Sequence, residues 1–217
     1  ITISSLISRL FWGIIDWKLR RQIRFNTRQK GFVNEQGCYN NVHILGEILR
    51  HSKIGNGLVA VQLDVSKAFD TVQHSSIGPA LLRKGISKSV VRMIVDSYKD
   101  VQTQIHCGGD TFNITLQRGV KQGDPLSPFI FNAVLEPLLL ELEKMPGYKI
   151  SNESELSCLA FADDLMLLAN DVPQAQDLLS KTETFLRNLG MQLSVQKCAT
   201  FRVVPTGDSY YIDEPAI

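Results

Sequence analysis

ELSCLAFADDLMLLA (155–169) is the stretch whose reading decides the fold. Two short apolar segments flank a polar turn, and the turn carries two adjacent carboxylates, Asp163 and Asp164. Apolar runs of this length broken by a polar pair predict a β-hairpin with both carboxylates at its tip. LVAVQLDV (58–65) is a second apolar, β-branched run; it follows the IGNG turn (54–57) and closes on Asp64. Outward from these strands, residues 75–84 and 88–99 read as helices split by KGIS, and 101–106 with 111–116 as strands joined by a CGGD turn. RGVKQGDPLSP (118–128) is a Gly/Pro loop feeding PFIFNAVLEPLLLELEKM (128–145). That segment is apolar nearly all round, so it should be a buried helix, with a kink or local break at Pro137. Residues 173–189 form an amphipathic helix that Gly190 ends in the C′ role. Short strands near 191–195 and 198–204 complete the pattern. Towards the N-terminus, Leu6, Leu10, Ile14 and Trp17 fall at helical spacing within 4–24, followed by the basic RRQIR run. QKGFVNEQG is a loop, and 40–52 is a helix with Val42, Leu45, Ile48 and Leu49 on one face and Asn40 or Asn41 as its N-cap. The order of elements suits an α+β fold, an antiparallel sheet with helices on one face.

Length and composition agree with a globular core. The chain has 217 residues, 44% apolar and 21% charged, which excludes disordered and collagen-like classes. No apolar run reaches the roughly 18–20 residues of a membrane span. The chain opens at Ile1 without a basic n-region and stops at YYIDEPAI, so it reads as an internal piece of a longer protein. Cys38, Cys107, Cys158 and Cys198 lie far apart, and His43, His51, His74 and His106 supply no matching spacing, which argues against a zinc site and suits a reducing compartment. The net charge of +1 hides an asymmetry: residues 1–60 carry +6, 61–125 carry +2 and 126–217 carry −7. A basic N-terminal third can face a polyanion, although a solvated basic face has the same composition.

Three aspartates carry the chemistry. Asp64 ends an apolar strand, and Asp163 and Asp164 sit side by side in an apolar hairpin. Ionised carboxylates in such surroundings need a counter-charge, and adjacent ones repel. A lone DD pair is commonly an ordinary turn. With a second acidic strand end, and no His or Cys within the LDV or FADD blocks themselves, the pattern points to hard-oxygen ligation of Mg²⁺ or Mn²⁺. Two such ions roughly 4 Å apart clamp the attacking and leaving oxygens of a phosphoryl displacement.

Four blocks occur in one order: LDVSKAFD (63–70), RGVKQGDPLSP (118–128), AFADDLMLLA (160–169) and LGMQLSVQKC (189–198). Together they resemble the palm motifs of reverse transcriptases, over most of residues 29–200. FADD, QGDPLSP and the QKGF segment most resemble the non-LTR retrotransposon branch, with group II intron enzymes as near relatives. Within that branch the likeness is to site-specific single-ORF elements that insert into ribosomal DNA. The resemblance implies a right-hand polymerase, with partial fingers over 1–57, a palm over 58–217 carrying an inserted helical segment over about 75–117, and a thumb outside the chain. It implies an RNA-directed DNA polymerase using two divalent ions, dNTPs, an RNA template and a DNA primer at nicked target DNA, with no membrane partner and a nuclear location.

The resemblance also assigns residues. Asp64 and Asp163 bind both metals, Asp164 completes the acidic cluster, and the Val65 carbonyl is a further ligand. The backbone around Lys67, Ala68 and Phe69 meets the triphosphate, and Phe69 is the sugar gate that excludes a ribose 2′-hydroxyl. Gln122 and Gly123 contact the nucleotide and template, with Arg118 as a phosphate binder. Lys197 protonates the departing pyrophosphate, although Ser194 stands where the pattern often has Asn. Gln29, Gly31 and Phe32, with Arg28 and Lys30, lie near the template strand. Asp70 and His74 read as structural. Two other readings stay open: a catalytically silent RNA-binding scaffold derived from such an enzyme, and an RNA-dependent RNA polymerase, whose first acidic motif the Asp64–Asp70 spacing resembles. The Ala162-Asp163-Asp164 turn and the bulky Phe69 argue against the latter.

Overall fold

The computed structural model describes residues 5–34, 36–55, 57–99, 101–151, 153–207 and 209–215. Ser4, Glu35 and Asn56, assigned above to the first helix, the QKGF loop and the IGNG turn, lie outside the described residues. In chain order the elements are α1 (Leu6–Gln22), α2 (Gly37–Ile54), β1 (Leu58–Asp64), α3 (Ala68–Thr71), α4 (His74–Arg83), α5 (Lys88–Asp96), β2 (Gln102–Cys107), β3 (Asp110–Thr115), α6 (Ser127–Leu142), β4 (Tyr148–Ser151), β5 (Ser154–Leu156), β6 (Cys158–Phe161), β7 (Asp164–Ala169), α7 (Val172–Asn188), β8 (Ala199–Thr206) and β9 (Ser209–Asp213). The chain divides into two compact units, 1–24 with 67–135 and 25–66 with 136–217.

The second unit is built on a five-stranded antiparallel sheet in the order β6-β7-β1-β8-β9. β1 is central because it is apolar on both faces. Leu58 and Ala60 join Ile48, Tyr148, Leu156, Leu159, Leu168 and Val203 in a core that includes α2. Val59, Val61 and Leu63 point the other way by the two-residue period of a strand, and α7 packs on β1 and β7. This sheet therefore takes a helix on each face rather than on one. Each buried Leu or Ile of such a core contributes about 1.5–3 kcal/mol. Residues 155–169 do not form a single hairpin: β5 pairs with β4, and the chain restarts at Cys158 to form the β6–β7 hairpin. β4 and β9 carried no sequence expectation, being short and mostly exposed. Residues 191–195 make no strand; Leu193 forms a single bridge with Val65 before a 3-10 turn at Val195–Lys197.

α2 starts at Gly37, three residues before the expected Asn40 cap. Gly37 fits because a Cβ there would lie 2.0 Å from the Lys30 carbonyl oxygen. Asn41, now inside the helix, donates from Nδ2 to the Ala160 carbonyl at 3.0 Å. α7 lies within one residue of the expected 173–189 and ends at Gly190 (φ 71°) as expected, the Met191 amide returning to Leu186 O; Asp171, which the sequence reading did not single out, caps it by accepting from the Gln174 amide at 2.9 Å.

In the first unit α1, α3, α4, α5 and the β2–β3 hairpin precede the 116–126 loop in sequence. Gly108 and Gly109 both take positive φ (60° and 93°), as a two-residue hairpin turn requires. α1 buries Trp12 and Leu19 and leaves Leu6, Leu10, Ile14 and Trp17 exposed. α6 runs through Pro137 without a break, with Phe129–Glu136, Leu138 and Leu139 buried around it. Burial of its flanks outweighs the missing proline N–H. Among the described residues no helix is long and apolar enough to cross a membrane.

Candidate active site

The antiparallel register between β1 and β7 places Asp64 directly opposite Asp164. β6 pairs with β7 as Phe161 opposite Asp164, so Ala162 and Asp163 form the two-residue turn between them. Ala162 sits at φ +57°, an unusual value for a residue with a Cβ. The three carboxylates predicted to act together are thus neighbours, brought together by strand pairing across about a hundred residues of chain.

Their environment is short of positive charge. The Asp163 carboxyl is pushed above its ordinary range, first by partial desolvation and then by Asp164 and Asp64, with Lys197 pulling it back. Asp64 has a side chain 21% exposed, and its Oδ2 is fully buried without a hydrogen-bond partner. The Lys197 ammonium stands 3.4 Å from that oxygen and 3.5 Å from Oδ1, an ion pair too long for a good hydrogen bond. Lys197 is brought there by the segment that passes the end of β1: the Ser194 amide donates to Asp64 O and the Ser66 amide to Gln192 O, both at 2.8 Å. Val65 is buried in the same stretch, bridged to Leu193.

An all-oxygen donor set and a buried carboxylate oxygen without a hydrogen-bond partner fit a hard divalent cation. Asp64, Asp163 and Asp164 would be the residues to hold such an ion. Among the described residues no three His, Cys, Asp or Glu side chains are grouped so as to hold a metal ion by themselves.

The QKGF block lies in the same unit. Gln29 forms a parallel bridge with Ala160, the Lys30 amide donating to Ala160 O at 2.9 Å and the Ala160 amide to Arg28 O at 3.1 Å. Gln29 is 3% exposed, and its side chain turns inward onto the Ala162 backbone. Gly31 is buried, Arg28 lies 3.8 Å from Glu143, and Phe32 is 44% exposed at φ 56°. Lys30 is partly exposed. This inward use of Gln29 was not legible in the sequence, where a Gln beside Gly in a polar loop reads as surface.

The remaining assigned residues belong to the other unit. Lys67 caps α3 in the left-handed conformation (φ 48°), Ala68 is buried, and the Phe69 ring stacks on Phe131 with centroids 4.7 Å apart and planes 11° apart. Gln122 Nε2 donates to Asp70 Oδ1 at 2.6 Å, so its carbonyl end is the one left to accept. Gly123 (φ 81°) has open space where a Cβ would stand. Arg118 is exposed and bridges Gln73 through the backbone. His74 Nε2 meets Gly119 O at 2.9 Å, a structural role as expected. Asp70, Gln122, Arg118 and His74 line one cavity of about 630 Å³.

Comparison with known proteins agrees with this geometry. Residues 1–209 match the family model described as reverse transcriptase (RNA-dependent DNA polymerase). The chain is 39% identical over 211 residues to the Retrovirus-related Pol polyprotein from type-1 retrotransposable element R2 of Popillia japonica, covering 95% of this chain and 30% of that protein. It is 38% identical over 202 residues to the corresponding polyprotein from type-2 retrotransposable element R2DM of Drosophila melanogaster, covering 92% of this chain and 19% of that one. The chain therefore spans less than a third of the length of these relatives. Among solved structures, an apo telomerase from Candida tropicalis truncated from its C-terminal domain superposes with a TM-score of 0.63 at 14% identity, over 97% of this chain and 41% of that one. The same organism's telomerase in complex with a fragment of telomeric RNA gives 0.65 at 13% identity, over 90% and 33%. At those identities the likeness speaks for the right-hand polymerase fold alone. Acidic geometry, ordered motifs and family match agree: the chain belongs to the reverse transcriptase family, beside the R2 retrotransposon polyproteins.

Proposed function

We propose that this chain is the catalytic part of an RNA-directed DNA polymerase that extends a DNA primer along an RNA template. The observation that carries this reading is the register that sets Asp64 against Asp164 with Asp163 at the adjoining turn. Members of the family use divalent metal ions and act on nucleic acid templates. Here the ions are two Mg²⁺ (or Mn²⁺), which when bound supply Lewis-acid activation of the primer 3′-hydroxyl and charge neutralisation at the transferring phosphate. The 3′-hydroxyl loses its proton to solvent and its oxygen bonds to the α-phosphorus of a dNTP as the bond to pyrophosphate breaks. Asp64, Asp163, Asp164 and the Val65 carbonyl would hold the ions, and Lys197 would donate a proton to the departing pyrophosphate.

Lys67, Ala68 and Phe69 are assigned to the incoming dNTP, with Phe69 excluding a ribose 2′-hydroxyl, and Gln122 and Gly123 to the nucleotide and its template base. Arg28, Lys30, Phe32 and Arg118 are assigned to nucleic acid; Gln29 and Gly31, placed with them on the sequence, are buried against the Ala162 peptide instead. Phosphate contacts of this kind add affinity without sequence information. The fingers over 1–57 and the palm over 58–217, with its helical insertion over about 75–117, belong to the same reading. So do a nuclear location and target-primed reverse transcription at nicked ribosomal DNA. The silent-scaffold reading is disfavoured because all three carboxylates are present and gathered. Asp163→Asn in the full-length protein should abolish dNTP incorporation on a primed RNA template, by at least about a thousandfold. Retained incorporation sinks the carboxylate assignment, and a preference for rNTPs would turn the reading towards an RNA polymerase.

A further inference from the structure

We infer that Gln29 is a positioning residue for the acidic turn, clamping the Ala162 peptide that aims Asp163 and Asp164. This inference rests on the polymerase reading for its consequence but on geometry for its existence. Gln29 Oε1 accepts from the Ala162 amide at 2.7 Å and from the Gly31 amide at 2.8 Å, while Nε2 donates to the Ala162 carbonyl at 3.1 Å. One side-chain amide therefore satisfies both polar groups of the residue that occupies the left-handed position. That residue precedes Asp163 directly and is 4% exposed, so water is a poor substitute partner.

Two neighbours hold the clamp in place. A Cβ on Gly31 would lie 2.2 Å from Ala162 N, so only glycine lets the 29–31 segment approach this closely. Asn41 Nδ2 and the Lys30 amide both donate to Ala160 O, at 3.0 and 2.9 Å, tying the strand before the turn to the same segment. The turn has reason to relax: Ala162 is strained in the left-handed region, and Asp163 beside it is repelled by Asp164 and Asp64. Gln29 faces the turn from a separate segment and opposes both tendencies. Its effect on the reaction is through the placement of carboxylates, not through template contact.

The test uses the full-length protein with a primed RNA template. Gln29→Met keeps the side-chain length and removes every hydrogen bond. It should lower kcat by about 10–100-fold and raise the half-saturating Mg²⁺ concentration several-fold, as loss of a ligand-orienting partner does. Affinity for the RNA template, measured by filter binding without metal, should change less than about twofold. Gln29→Glu keeps an acceptor for the two amides but sets a buried carboxylate oxygen against the Ala162 carbonyl, so it should also lower kcat. In the unaltered protein, hydrogen exchange over 158–165 should show the Ala162 amide protected well beyond an open turn. Weakened template binding with unchanged metal dependence overturns the inference, and so does fast exchange at Ala162 whatever the variants do. If the unaltered protein incorporates no nucleotide, the polymerase reading fails on its own and the exchange result still decides the clamp.

Discussion

Replacing Asp163 by Asn should stabilise the metal-free protein while destroying its chemistry. The Asp163 carboxyl is raised by partial desolvation first and by Asp164 and Asp64 next. A carboxyl raised in this way opposes folding once it ionises. Its penalty is absent below the ordinary carboxylate range, grows as pH climbs towards the folded pKa, and is complete above it. At neutral pH the wild type therefore bears the full penalty and the Asn variant none. Two like charges about 5 Å apart at an effective dielectric of about 20 repel by about 3 kcal/mol. Asp163 is only half buried, so water and counterions reduce that to about 0.5–1 kcal/mol for each neighbour. Lys197 offsets part of it, which leaves about 1 kcal/mol and a rise in Tm of about 2–4 °C for a chain of this size. Calorimetric melts in EDTA at low ionic strength read this directly. The gain should fade at about pH 3 and in about 0.5 M salt, and it should reverse with saturating divalent ion, because ligation then favours the wild type. An Asn variant that melts at or below wild type in EDTA at neutral pH refutes the account, as does a gain indifferent to salt and pH.

Two further outcomes test other parts of the molecule. Phe69→Val leaves Phe131 without its stacking partner and should raise rNTP use relative to dNTP by at least about tenfold in single-nucleotide incorporation; an unchanged ratio removes the gate. Cys158 is buried, with its thiol pushed up to about 11 mainly by desolvation, while Cys38 and Cys107 are exposed. Iodoacetamide at about pH 8 should therefore modify the exposed pair in the native protein and reach Cys158 only after denaturation, as read by peptide mass spectrometry. Native labelling of Cys158 at the same rate would contradict its burial.

Much of the fold was legible because its signals are local. The β-branched run at 58–64, the apolar segment that became α6, the Gly190 end of α7 and the Gly108–Gly109 turn each follow from periodicity or turn chemistry within a few residues. The same local rules missed where tertiary contacts prevailed. They started α2 too late because nothing near Gly37 announces its approach to Lys30, and they expected a break at Pro137 that burial suppressed. They also joined 155–169 into one hairpin, because Ser154–Leu156 finds its partner in an unremarked strand at 148–151.

The sequence by itself determined which carboxylates stand at strand ends and turns, and the ordered motifs named the chemistry. Only the tertiary structure decided that Asp64 faces Asp164, that Lys197 comes to rest on Asp64, and that Gln29 grips the Ala162 peptide instead of meeting solvent. The reason is physical: side-chain period and turn propensity are properties of neighbouring residues. Strand register and the satisfaction of a buried backbone amide are settled between segments about a hundred residues apart, by hydrogen bonds and apolar burial that exist only once the chain has closed on itself.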